Sequence, residues 1–178
     1  MREHALSAVL NGMSLSNIRP YESGFLIFSD YARPAIRLGA LMEIPTIHSF
    51  THDSIGVGED GTMHRTIEQL ASLRAISGLI ILRLADANEV VEAWRVIMVM
   101  RNHPVALILS RQDLPTLDRD RYQSAAGVAR SAYVLADAES ARPDVLLMAT
   151  GSEVSMFLAA YEQLKADGIA ARVISVPS

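Results

Sequence analysis

Short apolar runs alternate along this chain with longer segments in which apolar residues recur at helical spacing. The runs predict strands at 25–28, 46–50, 79–84, 105–110, 133–137, 145–150 and 171–176. The helical spacing predicts helices at 2–15, 32–42, 66–75, 87–100 and 153–167. Strands that alternate with helices are typical of α/β proteins, so we expect a parallel sheet with helices on both of its faces.

Helix ends are marked by residues whose chemistry suits those positions. Pro34 is expected in the first turn of the second helix, where a missing N–H costs nothing. Asp86 is a predicted N-cap and Gly168 a predicted C-cap. The first helix has one apolar face, formed by Leu6, Val9, Leu10 and Met13.

A charged stretch with a proline and several small residues, 111–128, interrupts the alternation and is typical of an interdomain linker. We therefore predict one domain over 1–120 and the linker with part of a second over 121–178. The second segment ends directly after a strand and is too short to form an independent α/β domain. The chain also begins directly in a helix. These two features predict a fragment that is cut at its C-terminus, and they allow a second cut before residue 1.

Composition excludes several classes of function. No apolar run approaches the roughly 20 residues that a membrane-spanning helix needs. The net charge is −4 and the arginines are scattered, whereas nucleic-acid binding normally requires a basic surface. The chain has no cysteine, which is compatible with a cytoplasmic location. We expect neither a membrane nor a nucleic acid as partner.

The segment 50–64, FTHDSIGVGEDGTMH, combines acids and histidines with glycines that permit tight turns. Its polar residues are His52, Asp53, Glu59, Asp60 and His64, and its glycines are Gly56, Gly58 and Gly61. This pattern predicts a loop that binds a polar ligand, although a solvated surface loop has the same composition. A zinc site is disfavoured because the two histidines are twelve residues apart and no cysteine is present.

Several strings, taken together, resemble the transketolase family of thiamine-diphosphate enzymes over essentially the whole chain. They are REHAL (2–6), FLIFSDYARPAIR (25–37), FTHDSIGVGEDG (50–61), LILSRQDLP (107–115), LMATGSEVS (147–155) and ARVISVPS (171–178). The resemblance implies that 1–120 is a pyrimidine-binding domain and that 121–178 begins a C-terminal domain. The family's diphosphate-binding domain, which holds Mg²⁺ or Ca²⁺, has no counterpart in this sequence.

The resemblance also implies roles for individual residues at the cofactor. Glu3 matches the glutamate that hydrogen-bonds the aminopyrimidine ring, and Phe25, Phe28 and Tyr31 match the aromatic pocket around that ring. Without the resemblance, an acid in the first turn of a helix usually complements the helix dipole. The aromatic residues, spaced three apart near a strand end, would then be core residues.

Substrate-binding roles follow in the same way for His52, Asp60, His64 and Arg111, with His64 also assisting proton movement. A guanidinium suits phosphate oxygens, and imidazole can donate or accept near neutral pH. By position alone, Arg111 is a surface residue at a strand end. The segment 61–69 departs from the family pattern by losing two prolines and by adding Arg65 next to His64.

The function implied is transfer of a two-carbon ketol unit from a ketose phosphate to an aldose phosphate, in the pentose phosphate pathway. The site would form between this domain and the diphosphate-binding domain of a second subunit, in a homodimer of the full-length enzyme. We expect the isolated chain to be inactive. One alternative is a non-catalytic or partner-completing subunit of a split thiamine-diphosphate enzyme. Another is a related thiamine enzyme, such as a deoxyxylulose-phosphate synthase or a dehydrogenase β-subunit.

Overall fold

The computed structural model of this protein describes residues 2–140 and 142–178. The chain divides into two compact units. Unit 1 comprises Met1–Leu82 and Ile97–Asp113, and unit 2 comprises Arg83–Val96 and Leu114–Ser178. In the part of the chain that is described, every helix is too short or too polar to cross a lipid bilayer.

Four strands between residues 21 and 110 form one sheet. Its strands are β1 (Tyr21–Phe25), β2 (Ile47–Asp53), β3 (Ile80–Arg83) and β4 (Val105–Ser110), in the order β1-β2-β4-β3. β1 runs parallel to β2, and β2 runs parallel to β4. Parallel strands end at the same edge of a sheet, so the residues that follow β1, β2 and β4 are brought together there.

The helices are α1 (Glu3–Leu15), α2 (Ser29–Leu41), α3 (Gln69–Arg74), α4 (Ala87–Val99) and α5 (Glu153–Ala166). Short 3₁₀ turns occupy Leu26–Phe28, Ile55–Asp60 and Ala125–Arg130. The hydrophobic core of unit 1 joins α2, α3 and the sheet through Leu26, Ile36, Phe50, Leu73 and Ile108. Each of these side chains is at least 96% buried, which gives the sheet edge a rigid support.

Unit 2 contains a mixed three-stranded sheet, with β5 (Tyr133–Ala136), β6 (Val145–Ala149) and β7 (Ala171–Ser175) in the order β5-β7-β6. β6 and β7 are parallel, and β5 and β7 are antiparallel. Glu89, which is fully buried, accepts hydrogen bonds from Tyr133 Oη at 2.8 Å and Ser175 Oγ at 2.6 Å. Burial and the nearby Glu89 carboxylate raise the pKa of Tyr133, so its hydroxyl stays protonated and keeps donating.

The predicted α/β class with a parallel sheet is confirmed, as are Asp86 as the N-cap of α4 and Gly168, with φ of 77°, at the end of α5. The strand predicted at 25–28 is wrong, because β1 ends at Phe25 and a 3₁₀ turn follows. Leu26 is fully buried in that turn, and an apolar run that short has the same pattern in either conformation. α2 begins earlier than predicted, so Pro34 lies inside the helix instead of in its first turn.

The apolar face predicted for α1 is not the face that the protein buries. Leu6, Val9 and Met13 are 39–61% exposed, and the buried positions are Ser7, Leu10, Asn11 and Ser14. α1 packs against α2, where Asn11 Nδ2 donates to the carbonyl of Ala35 at 2.9 Å. A Cβ atom at Gly39 of α2 would lie 2.9 Å from Asn11 Oδ1. Small and polar residues therefore form this interface because the two helices approach closely.

Gly127→Ala tests how tightly unit 2 is packed. A Cβ atom at Gly127 would lie 2.2 Å from Tyr133 Cγ and 2.5 Å from Tyr133 Cβ, the part of the side chain that is attached to β5 and cannot move without the strand. We expect a loss of about 2 kcal/mol or more in the free energy of unfolding, measured by urea denaturation.

Gly12→Ala is the matched control, because a Cβ atom there meets nothing within 4 Å and the residue lies inside α1. Alanine is the better helix former, so this change should stabilise by up to about 1 kcal/mol. Equal stability of the two variants would contradict the packing described for Gly127.

Candidate functional site

The candidate site lies at the edge where β1, β2 and β4 end. Phe25 is the last residue of β1, His52 is near the end of β2, and Arg111 directly follows β4. Phe25 is paired in register with Thr51, the neighbour of His52. The register between β2 and β4 shifts between Phe50 and Asp53, so the regular pairing is interrupted where the functional side chains begin.

The backbone at this interruption is held in an unusual conformation. His52 has φ of 65° and Ser54 has φ of 78°, in the left-handed region that non-glycine residues seldom adopt. Ser54 Oγ accepts a hydrogen bond from the amide of Gly56 at 3.2 Å and another from Gln112 Nε2 at 3.0 Å. These contacts fix the turn after β2 and so fix the direction of the His52 side chain.

The three glycines of the predicted loop are required for different structural reasons. Gly58 and Gly61 have φ of 71° and 77°, as the sequence led us to expect. Gly56 does not have a positive φ and instead permits a close approach, because a Cβ atom there would lie 2.5 Å from Gln112 Nε2. The segment is more ordered than predicted, since 3₁₀ turns occupy Ile55–Asp60.

Aromatic rings and imidazoles form a continuous cluster at the site. Phe25 stacks on His52, with ring centroids 3.6 Å apart, and on Phe28, with centroids 5.9 Å apart. The His64 ring meets both phenyl rings edge-on, at 5.7 and 5.8 Å. Tyr31 lies 6.3 Å from Phe28, centroid to centroid. Phe25 and Phe28 are only half-buried, so they are surfaces of the site and not core residues.

A charged cluster stands beside these rings, with Asp60 at its centre. Asp60 Oδ2 lies 2.5 Å from Arg111 Nε and 3.5 Å from His52 Nε2. His64 Nδ1 lies 2.9 Å from the carbonyl oxygen of Asp60. No described N–H group points directly at Asp60 Oδ2, so this oxygen has an ion-pair partner without an aligned hydrogen bond. Such an acceptor has capacity for a further donor.

The surroundings of His52 favour its neutral form. Burial lowers the pKa of His52, and the positive charges of Arg111 and His64 lower it further, while the Asp60 carboxylate opposes them. A neutral imidazole has one ring nitrogen that donates a hydrogen bond and one that accepts, so His52 can bind either an acceptor or a donor group of a ligand.

Glu3 lines two cavities next to the aromatic residues of the candidate site. A cavity of about 700 Å³ is lined by Glu3 together with Phe25 and Phe28, and a neighbouring cavity of about 550 Å³ by Glu3 together with Phe28 and Tyr31. The site residues predicted from the sequence are thus close together in space, although they come from four separate stretches of the chain. Of the other acids in the loop, Glu59 is exposed and Asp53 is buried.

Sequence reasoning missed a buried polar chain next to this cavity. Glu22 accepts from Ser7 Oγ at 2.5 Å and lies 2.5 Å from His48 Nδ1, and all three residues are at least 94% buried. Only the register of β1 and β2, which places Glu22 beside His48, reveals the pair.

Among residues 2–140 and 142–178, no three or more histidine or acidic side chains are grouped so that they could hold a metal ion. The histidines that suggested a zinc site are instead engaged with Asp60 and the phenyl rings.

Comparison with known proteins gives matches along most of the chain. The family described as "Transketolase, pyrimidine binding domain" matches residues 1–116, and "Transketolase-like TK C-terminal domain" matches residues 131–178. The transketolase of Halalkalibacterium halodurans is 51% identical over 179 aligned positions, which cover 100% of this chain and 27% of the relative. The chain therefore spans about a quarter of the length of this relative.

Solved structures show the same similarity. Pichia stipitis transketolase in complex with sedoheptulose-7-phosphate superposes with a TM-score of 0.90 and 40% identity, covering 99% of this chain and 26% of that one. A split gene transketolase, described as an inactive β4 tetramer, superposes with a TM-score of 0.79 and 25% identity. That match covers 100% of this chain and 55% of the other. The matched segments, the sequence identity and the fold together show that this chain belongs to the transketolase family.

Proposed function

We propose that this chain contributes the pyrimidine-binding side of a transketolase site, for the thiamine-diphosphate-dependent transfer of a two-carbon ketol unit from a ketose phosphate to an aldose phosphate. One observation carries the proposal. The cavity lined by Glu3, Phe25 and Phe28 lies at the same sheet edge as the cluster of His52, Asp60 and Arg111. A cofactor-binding surface and a substrate-binding surface are thus adjacent on one rigid scaffold.

The cavity suits the aminopyrimidine ring of thiamine. Its walls are predominantly apolar, with phenyl rings that bind a flat heterocycle by burial and stacking, and it has the half-buried Glu3 carboxyl group at one edge. Glu3 would hold the ring through a nitrogen and share a proton with it, the role of a general acid and base. Bound thiamine diphosphate supplies the carbanion chemistry, and the protein supplies position and electrostatics.

The charged cluster suits a phosphorylated sugar. Arg111 and His52 would hold the phosphate, Asp60 would accept from a substrate hydroxyl, and His64 would assist binding and move a proton. Arg111 already has an anionic partner in Asp60, so a substrate phosphate would compete for its guanidinium. The Pichia stipitis relative, solved with a sugar phosphate, supports this class of substrate.

The remaining parts of the site would come from a second polypeptide segment. We place Mg²⁺ or Ca²⁺ and the diphosphate on a diphosphate-binding domain contributed by another subunit of a homodimer, and the domain boundary of this chain near residue 120. The cysteine-free sequence is compatible with the cytoplasm, which we propose as its location.

A second candidate function has support from one observation, the similarity to a split gene transketolase over this whole chain. In that case the chain is a separate subunit that completes a site on a partner polypeptide. Both candidates require the diphosphate-binding domain, and they differ in whether it must be covalently connected.

Complementation distinguishes these candidates. We expect no ketol transfer from the purified 178-residue chain alone at any practical thiamine diphosphate concentration. The diphosphate-binding domain of the Halalkalibacterium halodurans transketolase, fused to this chain, should restore Mg²⁺-dependent transfer that a chelator abolishes. The same two segments mixed as separate polypeptides should be inactive for a single-chain enzyme and active for a split one. Inactivity of both arrangements would contradict both candidates, and so would transfer by the chain alone.

Glu3→Gln tests the proposed proton-sharing role. An amide keeps the size of the carboxyl group but cannot exchange a proton with the pyrimidine, so kcat of the active fusion should fall by about 10²- to 10⁴-fold. Glu43→Gln is the control, because Glu43 is exposed and lies outside both cavities. Unchanged kcat in Glu3→Gln would remove Glu3 from the mechanism.

The charges around His52 predict opposite changes in its titration. Asp60→Asn removes the charge that raises the pKa of His52, so that pKa should fall further. Arg111→Gln removes a charge that lowers it, so the pKa should rise. The ring resonance of His52, followed by NMR from pH 4 to 9, reports both shifts, with exposed His103 as an internal reference. Shifts of the same sign in the two variants would contradict the electrostatic arrangement.

A further inference from the structure

A buried chain of polar contacts connects α1 to the sheet beneath the cofactor cavity. Ser7 Oγ on α1 donates to Glu22 Oε1 on β1 at 2.5 Å. The same oxygen lies 2.5 Å from His48 Nδ1 on β2, and His48 Nε2 lies 3.2 Å from Thr46 Oγ1. Ser7, His48 and Thr46 are fully buried and Glu22 is 6% exposed, so solvent does not compete for these contacts.

The register of the sheet keeps this chain in place. Glu22 is the direct partner of His48 in the parallel pairing of β1 and β2. The carboxylate is therefore held by a neighbouring strand on one side and meets α1 on the other. A buried acid and histidine in contact stabilise each other in a low dielectric, whereas removing one partner leaves the other uncompensated.

Ser7 lies one helical turn after Glu3, on the same side of α1. Glu3, Ser7 and Glu22 line the same 700 Å³ cavity. The first turn of α1 has little local support, because its N-cap is Arg2, which makes no capping hydrogen bond through its side chain. The hydrogen bond from Ser7 to Glu22 can therefore determine the position of Glu3 relative to Phe25 and Phe28.

Burying Glu22 is energetically unfavourable, and packing alone does not require a carboxylate at this position. Its second oxygen, Oε2, is buried without a hydrogen-bond partner. A buried carboxylate with an unpaired oxygen costs free energy that an apolar residue at this position would not cost. Departures of this kind occur where a residue serves function.

We propose that Glu22, held by His48, is a positioning residue that fixes Glu3 over the aminopyrimidine-binding cavity through Ser7. The proposal rests on the proposed function in its assignment of Glu3 to the cofactor. It predicts that the hydroxyl of Ser7 matters for catalysis through its effect on the position of Glu3.

The first test needs no cofactor. Ser7→Ala removes the donor to Glu22, so amide hydrogen exchange in the first two turns of α1 should accelerate by about tenfold in the 178-residue chain. Ser14→Ala is a matched control, because Ser14 is a buried serine on the same helix whose hydroxyl has no hydrogen-bond partner. It should leave exchange in those turns unchanged. Equal exchange in the two variants would overturn the proposal.

The second test measures the catalytic consequence in the active fusion protein. Ser7→Ala should lower kcat by about 10- to 100-fold, the effect of misplacing a catalytic group by about an ångström, with little change in KM for the sugar phosphate. Ser14→Ala should leave kcat unchanged, and Ser7→Thr, which keeps a hydroxyl, should recover most of the lost rate.

A double-mutant cycle separates positioning from general destabilisation. If Ser7 acts through Glu3, Ser7→Ala should have no further effect on kcat in the Glu3→Gln background. Additive losses would show that Ser7 acts independently of Glu3 and would overturn the proposal. A fusion that is active and sensitive to Glu3→Gln but indifferent to Ser7→Ala refutes this inference alone, whereas an inactive fusion counts against the proposed function.

Discussion

The parallel pairing of β1, β2 and β4 is the constraint on which the candidate site depends. Because these strands run in the same direction, Phe25, His52 and Arg111 arrive at one edge although 86 positions separate the first from the last. A fully buried core beneath the strands prevents the edge from adjusting to its ligands. The register shift after Phe50 then interrupts the regular pairing of β2 with β4 next to His52, one of the candidate site residues.

Polar residues have structural tasks in the interior of both units. In unit 1, Ser7 and Asn11 connect α1 to the sheet and to α2. In unit 2, Glu89 joins α4 to Tyr133 and Ser175 through charge-assisted hydrogen bonds. Each network gives its elements one defined arrangement, because any shift would leave a buried donor or acceptor unpaired. Helix α1 can therefore keep apolar residues on its outer face without losing its position.

The electrostatics of the site follow from Asp60. Its carboxylate forms an ion pair with Arg111 and lies 3.5 Å from His52 Nε2, and its backbone carbonyl oxygen lies 2.9 Å from His64 Nδ1. Among the described residues, its carboxylate opposes the lowering of the His52 pKa by burial, to which Arg111 and His64 also contribute. An anion that drew Arg111 away from Asp60 would change the charges around His52 and therefore the pKa of its imidazole.

Local sequence patterns are enough to predict the α/β class, the approximate positions of most elements, the caps at Asp86 and Gly168, and, through strings such as THDSIGVGEDG and REHAL, the family. These features are local, because caps, periodicity and motif spacing depend on neighbours within a few residues. The buried face of α1 and the contact between Glu22 and His48 are visible only in the folded chain. Helix packing and strand register join residues far apart in sequence, so no local pattern could reveal that the polar face of α1 lies inside and its apolar face outside.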